Sequence, residues 1–81
     1  MITLTMHALK RIKQRGITRE AVAKVILYGI EKFYNDMIIY ILKKSETEKL
    51  FKREGIDIRK YGGIKVVMGI ENQVVTAYRC E

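Results

Sequence analysis

Three residues near the start of the chain have the spacing of one helix face. His7, Arg11 and Arg15 follow one another at intervals of four residues, which stacks their side chains on one side of a helix. An imidazole exchanges protons near neutral pH, whereas a guanidinium keeps its charge and presents a fork of donors that fits a phosphate. The cluster therefore suits phosphodiester chemistry, and the alternative is an exposed basic helix face without a ligand.

Other kinds of active site find little support in the residue types. His7 and Cys80 are the only histidine and the only cysteine, and they have no paired spacing that would supply the three or four ligands of a zinc site. We therefore expect no metal and no other cofactor. We also expect Cys80 to be incidental, because its neighbour Arg79 points the other way along a predicted strand and cannot activate the thiol.

The charge balance predicts a polyanionic partner. The chain has 16 Lys and Arg residues against 9 Asp and Glu residues, a formal net charge of +7, and residues 1–34 alone hold seven basic and two acidic side chains. Nucleic acid is the polyanion that best fits a basic helical surface. The longest apolar run, residues 37–42, is too short to cross a bilayer and no signal peptide is evident, so we expect a cytoplasmic protein without a membrane partner.

The first 29 residues have the pattern of two helices joined by a tight turn. Thr5 is a capping residue for a helix that runs to about Arg15, and Gly16 ends it in the left-handed conformation. Thr18 caps a second helix, which ends at Gly29. The polar side of the first helix carries His7, Lys10, Arg11, Gln14 and Arg15. The buried side of the second helix carries Ala21, Val22, Val25 and Ile26.

The later segments have the pattern of antiparallel strands. Residues 31–34 and 37–42 are rich in aromatic and β-branched side chains and flank Asn35-Asp36, a pair that forms tight hairpin turns because both residues tolerate positive φ. Residues 64–70 and 74–79 indicate a second hairpin. Helices followed by strands indicate an α+β fold, with an N-terminal helical hairpin packed on an antiparallel sheet.

The middle segment allows more than one structure. Ser45-Glu46-Thr47-Glu48 has the spacing of a capping box, which predicts a short third helix or an irregular excursion. Residues 56–58 alternate as a short strand would. We expect all of residues 1–81 to form a single domain. A domain of this size lies near the lower limit for a self-sufficient core, so a homodimer is also consistent with the sequence.

Parts of the chain resemble a known family of small domains. The resemblance lies in the run from His7 to Thr18 (HALKRIKQRGIT), in Val22, and in residues 74–79 (VVTAYR). The family pattern is His-Ala, then arginine or methionine in the next turn, then Arg-Gly-Ile-Ser/Thr, with a last strand of the Val-Thr-Val-Tyr type. The family is grouped with the barnase, EndoU, colicin and RelE-like ribonuclease fold, and some members resemble toxins of toxin–antitoxin pairs. Segment 43–61 is longer than this pattern.

The resemblance implies metal-independent cleavage of RNA, single-stranded or associated with the ribosome, and an acidic antitoxin protein as a partner. Such cleavage requires a base, positive charge on the phosphorane-like transition state, and an acid for the leaving oxygen. His7 is the expected proton-transfer group, and Arg11 and Arg15 are the expected phosphate ligands. Tyr78 and Thr76 are the expected hydrogen-bond donors from the last strand. Further substrate contacts are expected from Lys10, Gln14 and Arg79.

Two other functions are consistent with the same residues. The basic face can bind nucleic acid or an acidic partner protein without catalysis, and an exposed strand edge can pair with a partner or with a second copy. The single histidine leaves one of the two proton-transfer steps unassigned. Tyr78 and Arg79 point to opposite faces of a strand, so only one of them shares a cleft with His7.

Overall fold

The computed structural model describes residues 3–80. In chain order they form β1 (Thr3–Leu4), α1 (Met6–Gln14), α2 (Arg19–Tyr28), β2 (Ile30–Tyr34), β3 (Met37–Leu42), α3 (Lys44–Glu54), a 3-10 turn (Arg59–Tyr61), β4 (Ile64–Gly69) and β5 (Gln73–Arg79). The predicted single domain also includes residues 1, 2 and 81, which lie outside the described part. None of the helices within residues 3–80 is both long and apolar enough to cross a bilayer.

The strands form one sheet in the order β1-β5-β4-β3-β2. Strands β2 to β5 pair in antiparallel fashion, whereas β1 runs parallel to the start of β5 and pairs only with Gln73 and Val74. The predicted α+β class is confirmed. The two-residue strand β1 adds a parallel pair that the sequence did not indicate.

Both helices of the N-terminal hairpin begin at their predicted caps. The hydroxyl oxygen of Thr5 accepts a hydrogen bond from the backbone N–H of Ala8 at 3.0 Å, and Thr18 accepts one from Ala21 at 3.0 Å. Each bond satisfies a donor that the first turn of a helix leaves without a partner.

The turn between α1 and α2 is a Schellman motif. Gly16 has a φ of 69°, and the N–H of Ile17 donates to the carbonyl of Ile12 at 2.8 Å. This conformation suits glycine because a side chain would be strained there. Ile17 and Val22 are both buried and close the turn as a hydrophobic staple.

The two faces of the sheet have different surroundings. Helices α1 and α2 pack on one of them, the inner face, and α3 packs mainly on the 3-10 turn. The strand residues that join the buried cluster of these helices are Leu42, Ile64, Val66, Met68, Val74 and Ala77. The alternate residues point to the opposite side, the outer face. Two rows of cross-strand neighbours on the outer face are Tyr78, Lys65, Ile41, Ile30 and Thr76, Val67, Ile39, Lys32.

The middle segment differs in part from its predictions. A third helix is confirmed, but the capping box at Ser45 is wrong, because the carbonyl of Lys43 already accepts helical hydrogen bonds from the backbone of Glu46 and Thr47. The short strand over residues 56–58 is also wrong. The segment leads into the 3-10 turn instead, and Asp57 accepts side-chain bonds from Arg59 at 2.9 and 3.1 Å.

The hairpin turns have φ values that differ from one another. Asn35 has a positive φ of 53° and Asp36 does not, whereas Asn72 has a φ of 61° in the second hairpin. Strand β4 ends at Gly69 and β5 begins at Gln73, one residue short of the predicted end of the first strand and one residue before the predicted start of the second. A difference of one residue is within the usual variation of element boundaries.

Candidate nucleic-acid interface

Arg15 attaches the end of α1 to β5. Its guanidinium Nη1 donates to the Thr76 hydroxyl at 3.2 Å and to the Ala77 carbonyl at 2.8 Å. The Ala77 carbonyl can accept because β1 pairs only with the first two residues of β5, and no other described strand pairs with that edge. A guanidinium has five N–H donors, so the exposed Arg15 keeps donors for a ligand.

Tyr78 lies on the outer face between two cations. Arg15 Cζ is 6.0 Å from the centroid of the Tyr78 ring, and Lys65 Nζ is 5.6 Å from it, which are distances at which a cation is attracted to the face of an aromatic ring. Lys65 is the cross-strand partner of Tyr78. We call Arg15, Lys65, Thr76 and Tyr78 the α1–β5 cluster.

Among residues 3–80, no carboxylate forms an ion pair with the α1–β5 cluster. The ion pairs within residues 3–80 are Lys49 with Glu46, and Arg59 with Asp57. Both pairs lie in α3 or in the segment that follows it. The two cations of the cluster therefore create a local positive potential that attracts phosphate groups.

The rest of the predicted helix face precedes the cluster along α1. Arg11 lies one turn before Arg15 and His7 two turns before it, which corresponds to about 6 and 12 Å along the helix axis. Both side chains are exposed, and neither forms an ion pair within the described residues. Lys10 and Gln14 are also exposed and continue the same polar surface.

His7 is accessible but does not lie in a cleft shared with β5. It lines a shallow concavity on the surface of α1, together with Met6, Leu9, Lys10 and Lys13. All of these residues belong to one helix, and no strand residue between positions 3 and 80 lines the concavity. The structure thus brings Arg15 together with Thr76 and Tyr78, and it leaves His7 apart from them.

Arg79 lies on the other side of β5 from Tyr78. Its guanidinium donates to the backbone carbonyls of Arg15 and Gly16, with the Gly16 bond at 3.4 Å. The last carbonyls of a helix have no partners within the helix, so Arg79 caps α1 and holds its end against β5. The structure does not bring Arg79 into the α1–β5 cluster.

Lys65 is the member of the cluster that the sequence did not single out. The available signal was its charge within an apolar strand, because such a residue must face outward. The sequence did not indicate the cross-strand partner of Lys65. The register of β4 and β5 shifts between the pairs Met68–Val74 and Val67–Thr76, and without this bulge Ala77 would stand opposite Lys65. One extra residue in β5 therefore brings Tyr78 to the lysine.

The arrangement can bind anions and offer hydrogen bonds. Arg15 and Lys65 can hold a phosphate, the Tyr78 hydroxyl can donate to one, and His7 can exchange a proton two helical turns away. Within the part of the chain that the structure describes, no three His, Cys, Asp or Glu side chains come together as a metal site would require.

Comparison with known proteins gives no further guidance: no protein-family model, no curated protein sequence and no solved structure matches the chain. Its function must be inferred from the chemistry of the cluster.

Proposed function

We propose that the protein binds RNA along α1 and β5 and cleaves it without a metal ion, as a toxin of the RelE/barnase-like ribonuclease fold. The observation that carries the proposal is the α1–β5 cluster, in which two cations, a hydroxyl and a phenol meet and no carboxylate of the described residues pairs with either cation. RNA supplies both the phosphates for the cations and the bases for the ring. Under this proposal the protein acts in the cytoplasm on ribosome-associated RNA, and an acidic antitoxin protein is its second partner.

The proposed reaction needs one proton acceptor and one phosphate ligand close together. The 2′-oxygen of a ribose attacks the adjacent phosphorus, and the bond from phosphorus to the 5′-oxygen breaks, which leaves a 2′,3′-cyclic phosphate and a 5′-hydroxyl. His7 accepts the proton of the 2′-hydroxyl, and its imidazolium or water returns one to the 5′-oxygen. Arg11, one helical turn away, stabilises the charge that develops on the phosphate.

The α1–β5 cluster then binds the nucleotide next to the one that is cleaved. Because about 12 Å of helix axis separates His7 from Arg15, one phosphate cannot contact both. Arg15 and Tyr78 therefore hold the next part of the strand, and Thr76 positions the guanidinium of Arg15. Lys10 and Gln14 extend the contact surface along α1.

A second candidate function is RNA binding without cleavage. The observation that favours it is the position of His7, which is exposed and lines a concavity whose described lining residues all belong to α1. A catalytic histidine is usually oriented by a hydrogen-bonded partner that fixes its tautomer. The binding module predicts the same salt-sensitive affinity as the ribonuclease, and it predicts no strand scission.

Cleavage of defined RNA by purified variants separates the two candidates. Native protein is incubated with a labelled single-stranded RNA in EDTA, beside the variants His7→Ala and Arg11→Gln, and the products are resolved on a sequencing gel. Lys52→Gln on α3 is the matched control, because it removes a basic side chain from another helix. Binding is measured in parallel with a 2′-O-methyl RNA, which has no nucleophilic hydroxyl.

Each outcome decides between the candidates. We expect native and Lys52→Gln protein to leave cyclic phosphate ends, and His7→Ala to bind normally but not cleave. Equal cleavage by native and His7→Ala protein overturns the proposed mechanism. Binding without cleavage by any form establishes the binding module instead. Absence of binding to RNA overturns both.

A further inference from the structure

The outer face of the sheet has an unusual combination of charge and apolar surface. None of its outward-pointing residues in β2 to β5 carries a carboxylate, and the one acidic strand residue, Glu31, pairs with Tyr40 on the inner side. Two lysines, Lys65 and Lys32, stand on this face in different rows. Between them lie aliphatic side chains, of which Ile39 is half-buried and belongs to no core cluster.

The cations on this face continue from the α1–β5 cluster. Arg15 and Lys65 flank the Tyr78 ring at 6.0 and 5.6 Å. Lys32 is two strands from Lys65 and one row further along, so the two Cα atoms are about 12 Å apart, given a strand spacing of about 4.8 Å and a rise of about 3.4 Å per residue. The cations thus form a diagonal from the edge of β5 to β2, across an apolar centre.

We propose that this outer face binds single-stranded RNA, with its phosphates on Arg15, Lys65 and Lys32 and its bases on Tyr78 and the aliphatic centre around Ile39. That the ligand is RNA rests on the proposed function. The present proposal adds that the RNA is single-stranded and that it crosses the outer face of the sheet. Positive charge around an apolar surface matches a ligand whose backbone is anionic and whose bases are flat and apolar.

The same surface does not suit a duplex. In double-stranded RNA the base faces are stacked inside the helix, and only phosphates, sugars and groove edges are presented to a protein. The ring of Tyr78 and the side chain of Ile39 would gain no contact from such a ligand. Discrimination between single-stranded and double-stranded RNA therefore reports directly on the use of this face.

Fluorescence anisotropy with a labelled 12-nucleotide 2′-O-methyl RNA measures this binding without cleavage. We expect the single strand to bind at least 10-fold more tightly than the same strand in a duplex. Tyr78→Leu is expected to weaken binding about 5- to 150-fold, which is the range for one stacked base. Tyr78→Phe keeps the ring and loses only the hydroxyl, so it is expected to lose less affinity than Tyr78→Leu; an equal loss in both variants would contradict stacking on the ring. Lys32→Gln and Lys65→Gln are each expected to lower the slope of log affinity against log salt by about 0.7.

A control variant on the inner side of the sheet tests whether the RNA lies on the outer face. Phe33 is the neighbour of Lys32 in β2 but points to the inner side and is exposed. Phe33→Thr is therefore expected to leave RNA affinity unchanged, whereas Ile39→Thr keeps a β-branched residue and is expected to weaken it several-fold. Thermal unfolding of each variant verifies that it is folded at the assay temperature.

The outcomes distinguish this proposal from the proposed function. If Lys32→Gln and Ile39→Thr bind RNA like the native protein while His7→Ala stops cleavage, the RNA does not cross the outer face and the ribonuclease proposal stands. If these variants bind weakly but native protein never cleaves, the outer face is supported and the ribonuclease proposal fails. If the substitutions change the mass measured by light scattering but not RNA affinity, the face joins two copies of the chain and the proposal is overturned.

Discussion

Arg15 is expected to contribute to stability as well as to RNA binding, and Arg15→Ala tests both roles. The substitution removes hydrogen bonds to the Thr76 hydroxyl at 3.2 Å and to the Ala77 carbonyl at 2.8 Å. A hydrogen bond contributes about 0.5–1.5 kcal/mol net, and these two are partly exposed, so we expect a loss of about 1–2 kcal/mol in the free energy of unfolding. For a domain of this size that loss lowers the melting temperature by about 5–15 °C.

Thermal and urea unfolding followed by circular dichroism measure this effect against a matched variant. Arg11→Ala removes an equal charge from the same helix face, but Arg11 makes no ion pair within the described residues. We expect its stability to change by less than about 0.5 kcal/mol, as for other exposed positions. Both variants should lose RNA affinity. Equal melting temperatures for Arg15→Ala and Arg11→Ala would refute the attachment of α1 to β5 through Arg15.

Three further predictions follow from other contacts. Arg79→Ala should lower the melting temperature without changing the salt dependence of RNA binding, because its guanidinium caps backbone carbonyls of α1; a reduced salt slope would contradict this. Gly16→Ala should cost about 1 kcal/mol or more in urea unfolding, because Gly16 has a φ of 69°; an unchanged midpoint would contradict it. The side-chain bond from Arg59 lowers the pKa of Asp57, so its stabilisation is present above the usual carboxyl pKa and is lost as the pH falls through the lowered one. Asp57→Asn should therefore flatten the loss of stability in acid, and identical acid titrations of both proteins would argue against the pair.

The local features of the fold could be predicted because neighbouring residues determine them. Thr5 and Thr18 cap helices through bonds to residues three positions later, and Gly16 allows a turn that few other residues adopt. The pairing of β1 with β5 joins Thr3 to Gln73. Two residues carry too little pattern to indicate such a strand, because its stability comes from a partner 70 positions away.

The candidate site was predicted to the extent that one helix determines it. The spacing of His7, Arg11 and Arg15 indicated a shared face, and all three are exposed, with His7 and Arg11 in α1 and Arg15 at its C-cap. The hydrogen bond from Arg15 to Thr76 joins residues 61 positions apart, and it depends on how α1 packs against β5. The partnership of Lys65 with Tyr78 depends on a bulge, which the hydrophobic pattern of two strands does not specify.

Helix α1 is fastened to β5 at both of its ends. Before its first turn, the backbone N–H and the hydroxyl of Thr5 donate to the Val74 carbonyl at 3.4 and 3.5 Å, and after its last turn Arg15 reaches Ala77. The helix is thus held in one orientation before any ligand arrives. Preorganisation of this kind spares a ligand the conformational entropy of ordering its binding surface. Loosening either end should therefore weaken affinity mainly through faster dissociation, even where every charged side chain is retained.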